Sequence, residues 1–210
     1  MNSIPTPALC AADDATFWPW FSSPALAAWP GRERAMVVLP IAGLADWGLG
    51  LALDAEETVA MAVLRQASRI RPSDRRLLVV PPLRFVFGPD SGCAFAVDPP
   101  VAHALIAEVV ASIAASGFRR VVLYNSSPWN EEICAAASRD LRLAHGLQIF
   151  RINLSALELD FDPDRSPDRR RLQILCMALT GGESSDVSSE LLRTAGARLA
   201  ALLGEIDRHP

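Results

Sequence analysis

Apolar residues run without a break from Ala35 through Met36, Val37, Val38, Leu39, Pro40 and Ile41 to Ala42, between Gly31 and Gly43. A strand covered on both faces reads this way, because neither face needs a polar side chain. Leu77 to Pro81, Phe118 to Tyr124 and Leu147 to Leu154 repeat the pattern and give three further strands. Between them the apolar spacing widens to that of helices. Asp54 with Glu57 three residues on resembles a capping box and opens a helix to about Ile70, ended by Pro72 and Ser73. Asp98 before Pro99 starts a second helix that continues through Ala115 until Gly117, and Ser127 before Pro128 starts a third that reaches about His145. Gly146 follows where a helix C-terminus favours a residue tolerant of positive φ. After an acid- and Pro-rich loop, Asp160 to Asp168, a short helix is expected near Leu172 to Leu179 and a last one over Val187 to Ile206. Strand and helix alternate throughout, so the class is α/β with a mainly parallel sheet and helices on both faces.

Composition narrows this picture. The chain has 210 residues, half of them apolar, enough for one large core, and no internal repeat or boundary divides residues 35–210. Residues 1–34 differ: Pro5, Pro7, Pro19, Pro24 and Pro30 alternate with Trp18, Trp20 and Trp29, an arm expected to pack on the domain or on a neighbouring subunit. The formal net charge of -4 excludes a nucleic-acid protein held by bulk charge. All 20 basic residues are Arg, which removes lysine Schiff-base and P-loop chemistry. The 3 histidines, His103, His145 and His209, leave little for metal binding or acid/base work. Cys10, Cys93, Cys134 and Cys176 lack CxxC spacing and read as buried thiols in a reducing compartment. Neither a spanning apolar run nor a signal peptide is read, so no membrane partner and a cytoplasmic location are expected.

In a parallel sheet, ligands bind beyond the carboxyl ends of the strands, which directs attention to residues 43–56, 83–98 and 125–132. Leu39-Pro-Ile-Ala-Gly-Leu-Ala-Asp-Trp-Gly-Leu-Gly-Leu-Ala-Leu-Asp-Ala-Glu56 parallels the motif LPxGSxEQHGPHLPLxTD. Pro81-Pro-Leu-Arg-Phe-Val-Phe-Gly88 parallels PPxxYG, and Gly117-Phe-Arg-Arg-Val-Val-Leu-Tyr-Asn-Ser-Ser-Pro-Trp-Asn130 parallels GFRRxxxxNGHGGN. Gly182 to Arg193 is a weaker parallel to GDPxxAxxExGR. Through these stretches, spanning about residues 25–205, the chain resembles the creatininase (creatinine amidohydrolase) family. The resemblance implies a three-layer α/β fold, oligomers, and a metal-dependent amidohydrolase ancestry with two divalent ions such as zinc or manganese.

The ligand positions do not carry over with the framework. Where the family has its first Glu and His, this chain has Ala45 and Trp47; where the family has Asp, it has Glu56. The His of the NGH motif is Ser127, and a position that is Glu in some members is Trp129. The later HAGxxETS segment has no counterpart. A fixed zinc or manganese needs at least three lone-pair donors, so the chain reads as a degenerate member with no metal or other cofactor expected.

Each candidate has a functional and a structural reading. Trp47 and Trp129 either fill the old pocket as core or reline it, with Ala45, Glu56, Asn125, Ser127 and Asn130, for an aromatic or apolar ligand. Asp46, Asp54, Glu56, Glu57 and Asp90 either form an oxygen-only cation site or serve as helix caps and solvated loop charges. Glu56, Asp46 and Asp90 are the candidate catalytic groups. His103 and His145 read as structural, and Ser127 reads as an N-cap rather than a nucleophile. Asn125 and Asn130 suit side-chain to backbone bonds that hold a loop. Arg169-Arg170-Arg171 is either a solvated face or an anion site. The leading expectation is a non-catalytic binding or complex-forming subunit, as a homo-oligomer or beside an active enzyme. The alternatives are a divergent amidohydrolase with a relocated metal site, or a small-molecule sensor with its ligand between Trp47 and Trp129.

Overall fold

The computed structural model describes residues 16–71, 77–87, 92–166 and 169–209. Four strands form the main ladder: β1 (Met36–Ala42), β3 (Leu77–Val79), β8 (Arg120–Asn125) and β9 (Gln148–Asn153), in the order β3-β1-β8-β9. Every pairing among them is parallel, and β4 (Leu83–Arg84) joins the far end of β1 in parallel as well. Two two-stranded pairs complete the strands: β2 (Leu44–Ala45) with β6 (Cys93–Ala94), and β5 (Val86–Phe87) with β7 (Ala96–Val97).

The unbroken apolar run of β1 splits by parity, as a pleated strand must split it. Met36 and Val38 enter one core with Val122 and Tyr124, whereas Val37, Leu39 and Ile41 enter the other with Val121 and Leu123. The first core is closed by α2 (Ala55–Ile70), α5 (Arg170–Leu179) and α6 (Asp186–Arg208). The second is closed by α3 (Pro99–Ala115) and α4 (Glu131–His145). The fold is therefore α/β in three layers, with a mainly parallel sheet and helices on both faces. Gly196 on α6 lets that helix lie against α2, because a Cβ there would collide with the Gln66 side chain.

Differences from expectation have local causes. No capping box forms at Asp54: its side chain makes no cap bond, and Glu57 pairs instead with Arg84. A working box lies at the start of α6, where Ser185 and Ser188 each bond the other's backbone N–H. Asp98 has the extended backbone of an N-cap with Pro behind it, but its carboxylate does not cap. The expected strand from Leu77 to Pro81 stops at Val79, and the chain breaks into the short strands β4 to β7 before α3. Gly146 has φ +60 at the end of α4, the left-handed turn foreseen for it.

Of the N-terminal arm, residues 16–34 are described. Thr16 O accepts from Val79 N at 2.8 Å, Phe17 is buried, and Trp18 packs on Phe118 with ring centroids 5.0 Å apart. A short helix, α1 (Ser23–Ala27), follows. Cys10 lies outside the described residues. Cys134 and Cys176 are buried, and burial pushes both thiols up to about 12, whereas Cys93 is only half-buried. Among the described residues no helix is long and apolar enough to cross a membrane.

Candidate functional site

Beyond the carboxyl ends of β1 and β8 a polar cluster sits inside an apolar shell. Gly43 follows β1, Glu56 lies in the first turn of α2, and Ser127 follows β8; Glu56 and Ser127 are fully buried. The Glu56 carboxyl is bound from both sides: Gly43 N donates to Oε2 at 2.7 Å and Trp47 Nε1 donates to Oε1 at 3.0 Å. Burial raises this carboxyl from its ordinary range to about 7, only partly offset by the Gly43 N–H, the nearby Ser127 hydroxyl and the Trp47 indole. Ser127 Oγ itself completes no hydrogen bond of good geometry.

Trp47 is held on several sides. Trp129 stacks on it with centroids 4.5 Å apart and planes 13° apart, and Phe161 tilts against it at 5.6 Å. The Arg169 guanidinium lies 5.9 Å from the Trp47 ring centroid and donates through Nη2 to Trp47 O at 2.6 Å. Arg169 is thus no part of a solvated face: it is half-buried and its Nε has no partner, whereas Arg170 and Arg171 are exposed. The stack also leaves no gap between Trp47 and Trp129, so a ligand cannot lie between them as expected. An open cleft of about 500 Å³ lies beside the pair instead, lined by Asp46, Gly48, Pro128, Asp162, Asp164 and Arg169 among others.

The remaining candidates hold loops. Asn125 donates to Ser127 O at 2.8 Å and accepts from Ser127 N at 3.2 Å, fixing the turn after β8. Asn130 donates to Phe85 O at 2.8 Å and accepts from Phe87 N at 2.9 Å, tying that turn to β5. Ser127 has the extended backbone of an N-cap, but its hydroxyl does not cap; it points to the Glu56 side. Ala45 is buried and offers no donor. Asp46 is exposed and accepts from Gly48 N at 2.8 Å, closing a local turn. Asp90 lies outside the described residues. His103 bonds Asp140 at 3.1 Å between α3 and α4, His145 is exposed at the end of α4, and His209 packs on Phe150, so none reaches the site.

Among the described residues the oxygen-only cation site is not assembled. Glu56 is enclosed, Glu57 is engaged by Arg84 at 2.6 and 2.9 Å, and Asp46 is tied to its own turn. Among the described residues no group of three or more His, Cys, Asp or Glu could hold a metal ion.

Sequence reasoning missed the loop that closes this region. Arg165 bonds both Glu131 oxygens at 2.9 Å and pairs with Asp160 at 2.8 Å and Asp162 at 3.2 Å, pinning residues 160–166 to the start of α4. Because Arg165 is partly exposed, Arg165→Ala is expected to cost only about 1 kcal/mol globally. The local effect is larger, since three carboxylates lose their common cation: amide exchange of residues 160–166 accelerates while the core strands stay protected. Unchanged exchange in this loop would contradict the clamp.

A parallel sheet between two helical layers, with a polar cluster beyond the strand carboxyl ends, defines a three-layer α/β protein with its candidate site at the usual place for such sheets. Residues 21–183 match the creatininase family, described as creatinine amidohydrolase, and the chain belongs to that family. Among solved structures it is similar to creatinine amidohydrolase (creatininase), with a TM-score of 0.70 at 15% identity over 94% of this chain and 100% of that one. A creatininase structure designated Mn gives 0.70 at 14% identity, over 92% of this chain and 99% of the other. An inferred creatinine amidohydrolase from Bacteroides fragilis gives 0.65 at 13% identity, over 95% and 99%. These identities speak to the fold alone. No curated protein matches the sequence.

The divalent ions of the family do not fit the residues present. Of the five matched positions, Ala45 has no donor atom, the Trp47 nitrogen is spent on a bond to Glu56, Trp129 is a stacked indole, and only Glu56 and Ser127 carry oxygen lone pairs. One carboxyl and one hydroxyl fall short of the three or four ligands that hold zinc or manganese.

Proposed function

We propose that this chain is a creatininase-family protein that no longer hydrolyses amides and acts as a binding or complex-forming subunit, either with copies of itself or beside an active relative. The observation that carries the reading is the Glu56 carboxyl: it is fully enclosed, and both its oxygens accept internal N–H bonds. A general base must reach its substrate's proton and a metal ligand must be open to the ion; Glu56, enclosed and bonded at both oxygens, is open to neither. No metal or other cofactor is required in this reading, and a cytoplasmic location fits the free thiols.

The surface supports the contact half of the reading. Helix α3 buries Ala102, Ile106, Val110 and Ile113 yet leaves Val101 and Leu105 exposed, and Phe95 projects with 73% of its surface exposed. Exposed apolar groups of this kind are the usual material of interfaces.

The direct test incubates the purified protein with creatinine and a panel of small amides, with zinc or manganese added. Hydrolysis is expected to stay at the level of buffer. Turnover that scales with protein concentration and disappears with a chelator would overturn the loss of catalysis. Native mass spectrometry of the same preparation should show an oligomer or a co-purifying subunit, and a clean monomer at high concentration would remove the complex-forming role.

The second reading, a small-molecule sensor, rests on the cleft of about 500 Å³ beside Trp129. It predicts that Trp fluorescence responds to a ligand and that Trp129→Ala abolishes the response.

A further inference from the structure

We infer that the indole N–H of Trp47 has taken the place of the family's metal ion, so that this chain carries a built-in plug that satisfies Glu56 and shuts divalent cations out. The inference rests on the reading that positions 45, 47 and 56 are the former ligand positions. It goes further by naming what occupies the place and what keeps it there.

A metal ion at this point would have to take the lone pairs of Glu56. One lone pair on each oxygen already faces an N–H donor, from Gly43 at 2.7 Å on Oε2 and from Trp47 Nε1 at 3.0 Å on Oε1. The indole is a neutral donor with no lone pair to offer in exchange. An ion that took the Oε1 lone pair facing Trp47 would have to expel the ring, and the ring is braced by three other parts of the chain. Trp129, from the turn after β8, stacks on it; Phe161, from the loop after β9, tilts against it; Arg169, just before α5, spans its face and bonds its carbonyl. Expelling the ring would unstack the two indoles and break the hydrogen bond to Glu56.

The charge of the site follows the same logic. A metal cation would hold a neighbouring carboxylate ionised, whereas neutral N–H donors in an apolar shell let the proton return. Burial does raise the Glu56 carboxyl to about 7. Ser127 Oγ, buried and turned toward the Glu56 carboxyl without a hydrogen bond of good geometry, is the other oxygen at the matched positions. It and the carboxyl crowd Gly43, where a Cβ would stand 2.8 Å from Ser127 Oγ and 2.8 and 2.9 Å from the two carboxyl oxygens.

The test reads the plug itself rather than activity. In a ¹H–¹⁵N spectrum of the full chain, the indole signal lost in Trp47→Phe identifies Trp47 Nε1–H. That proton is expected to exchange slowly, and to stay slow when zinc, manganese or magnesium is added in millimolar excess, with no shift in thermal midpoint. Fast exchange, or loss of protection together with uptake of one equivalent of metal, overturns the inference. In the double variant Ala45→Glu/Trp47→His the ring is removed and two donors are placed beside Glu56. Zinc should then raise its thermal midpoint by several degrees where the native chain does not respond. A folded double variant indifferent to zinc also overturns the inference; if that variant fails to fold, the exchange result on the native chain decides. The two claims fail separately. Amide hydrolysis alongside a protected, metal-insensitive indole would defeat the proposed function and leave the plug standing, while a freely exchanging indole would defeat the plug whatever the assay gives.

Discussion

Gly43→Ala is expected to lower stability by about 3 kcal/mol, an effect out of proportion to one added methyl on a loop. A Cβ built at Gly43 stands 2.8 Å from Glu56 Oε2, 2.8 Å from Ser127 Oγ and 2.9 Å from Glu56 Oε1. Ordinarily the end of a glutamate could swing aside. Here the carboxyl is fully buried, and any movement leaves the Gly43 and Trp47 N–H groups without acceptors. Denaturant unfolding gives the cost, and the double variant Gly43→Ala/Glu56→Ala gives the mechanism. With the carboxyl gone the methyl has space, so the double variant should lose less than the sum of the single changes. A Gly43→Ala cost below about 0.5 kcal/mol would mean that the carboxyl is not confined.

Stability should fall as pH rises through neutrality, by up to about 3 kcal/mol, and Glu56 should be the cause. Burial, the largest influence, raises its folded-state value to about 7 from 4.5. Between those values the folded chain holds one proton more than the unfolded chain, so folding is favoured by protons there. The contribution is full below about 4.5 and is lost as pH rises through about 7, the opposite of a carboxylate held by an ion pair. Unfolding free energies of the native chain and of Glu56→Gln, compared between about pH 5 and pH 8, isolate this group from the other carboxylates. The difference between the two should change by about 3 kcal/mol over that range. Parallel profiles would show that the buried carboxyl stays ionised throughout.

Both predictions converge on a few residues whose types are visible in the sequence but whose relations are not. The strands and helices were legible because their signals are local. An unbroken apolar run marked β1, Asp98-Pro99 marked the start of α3, and Gly146 marked the end of α4. The same local reading misjudged Asp54 and Glu57, because a capping box competes with any partner that folding brings close, and Arg84 arrives from 27 residues away with a charge-assisted, two-pronged bond. Arg169 was misjudged for a similar reason. A run of three arginines has no local feature to tell the inward one from its neighbours, and the carbonyl that Arg169 bonds is 122 residues distant.

The site shows the same division. That Ala45 and Trp47 cannot ligate a metal followed from residue chemistry alone, since neither side chain offers a lone pair. That Trp47 closes the pocket against Trp129, instead of leaving room between the two rings, needed the geometry of two loops more than 80 residues apart.

The sequence by itself determined the α/β class, the order of elements, the family likeness and the residue types at the motif positions, because period, punctuation and side-chain chemistry are written residue by residue. Only the tertiary structure decided what those residues touch. The protonation of Glu56, the constraint on Gly43 and the bracing of Trp47 all depend on which groups are excluded from water together, and that exclusion exists only once distant parts of the chain have packed.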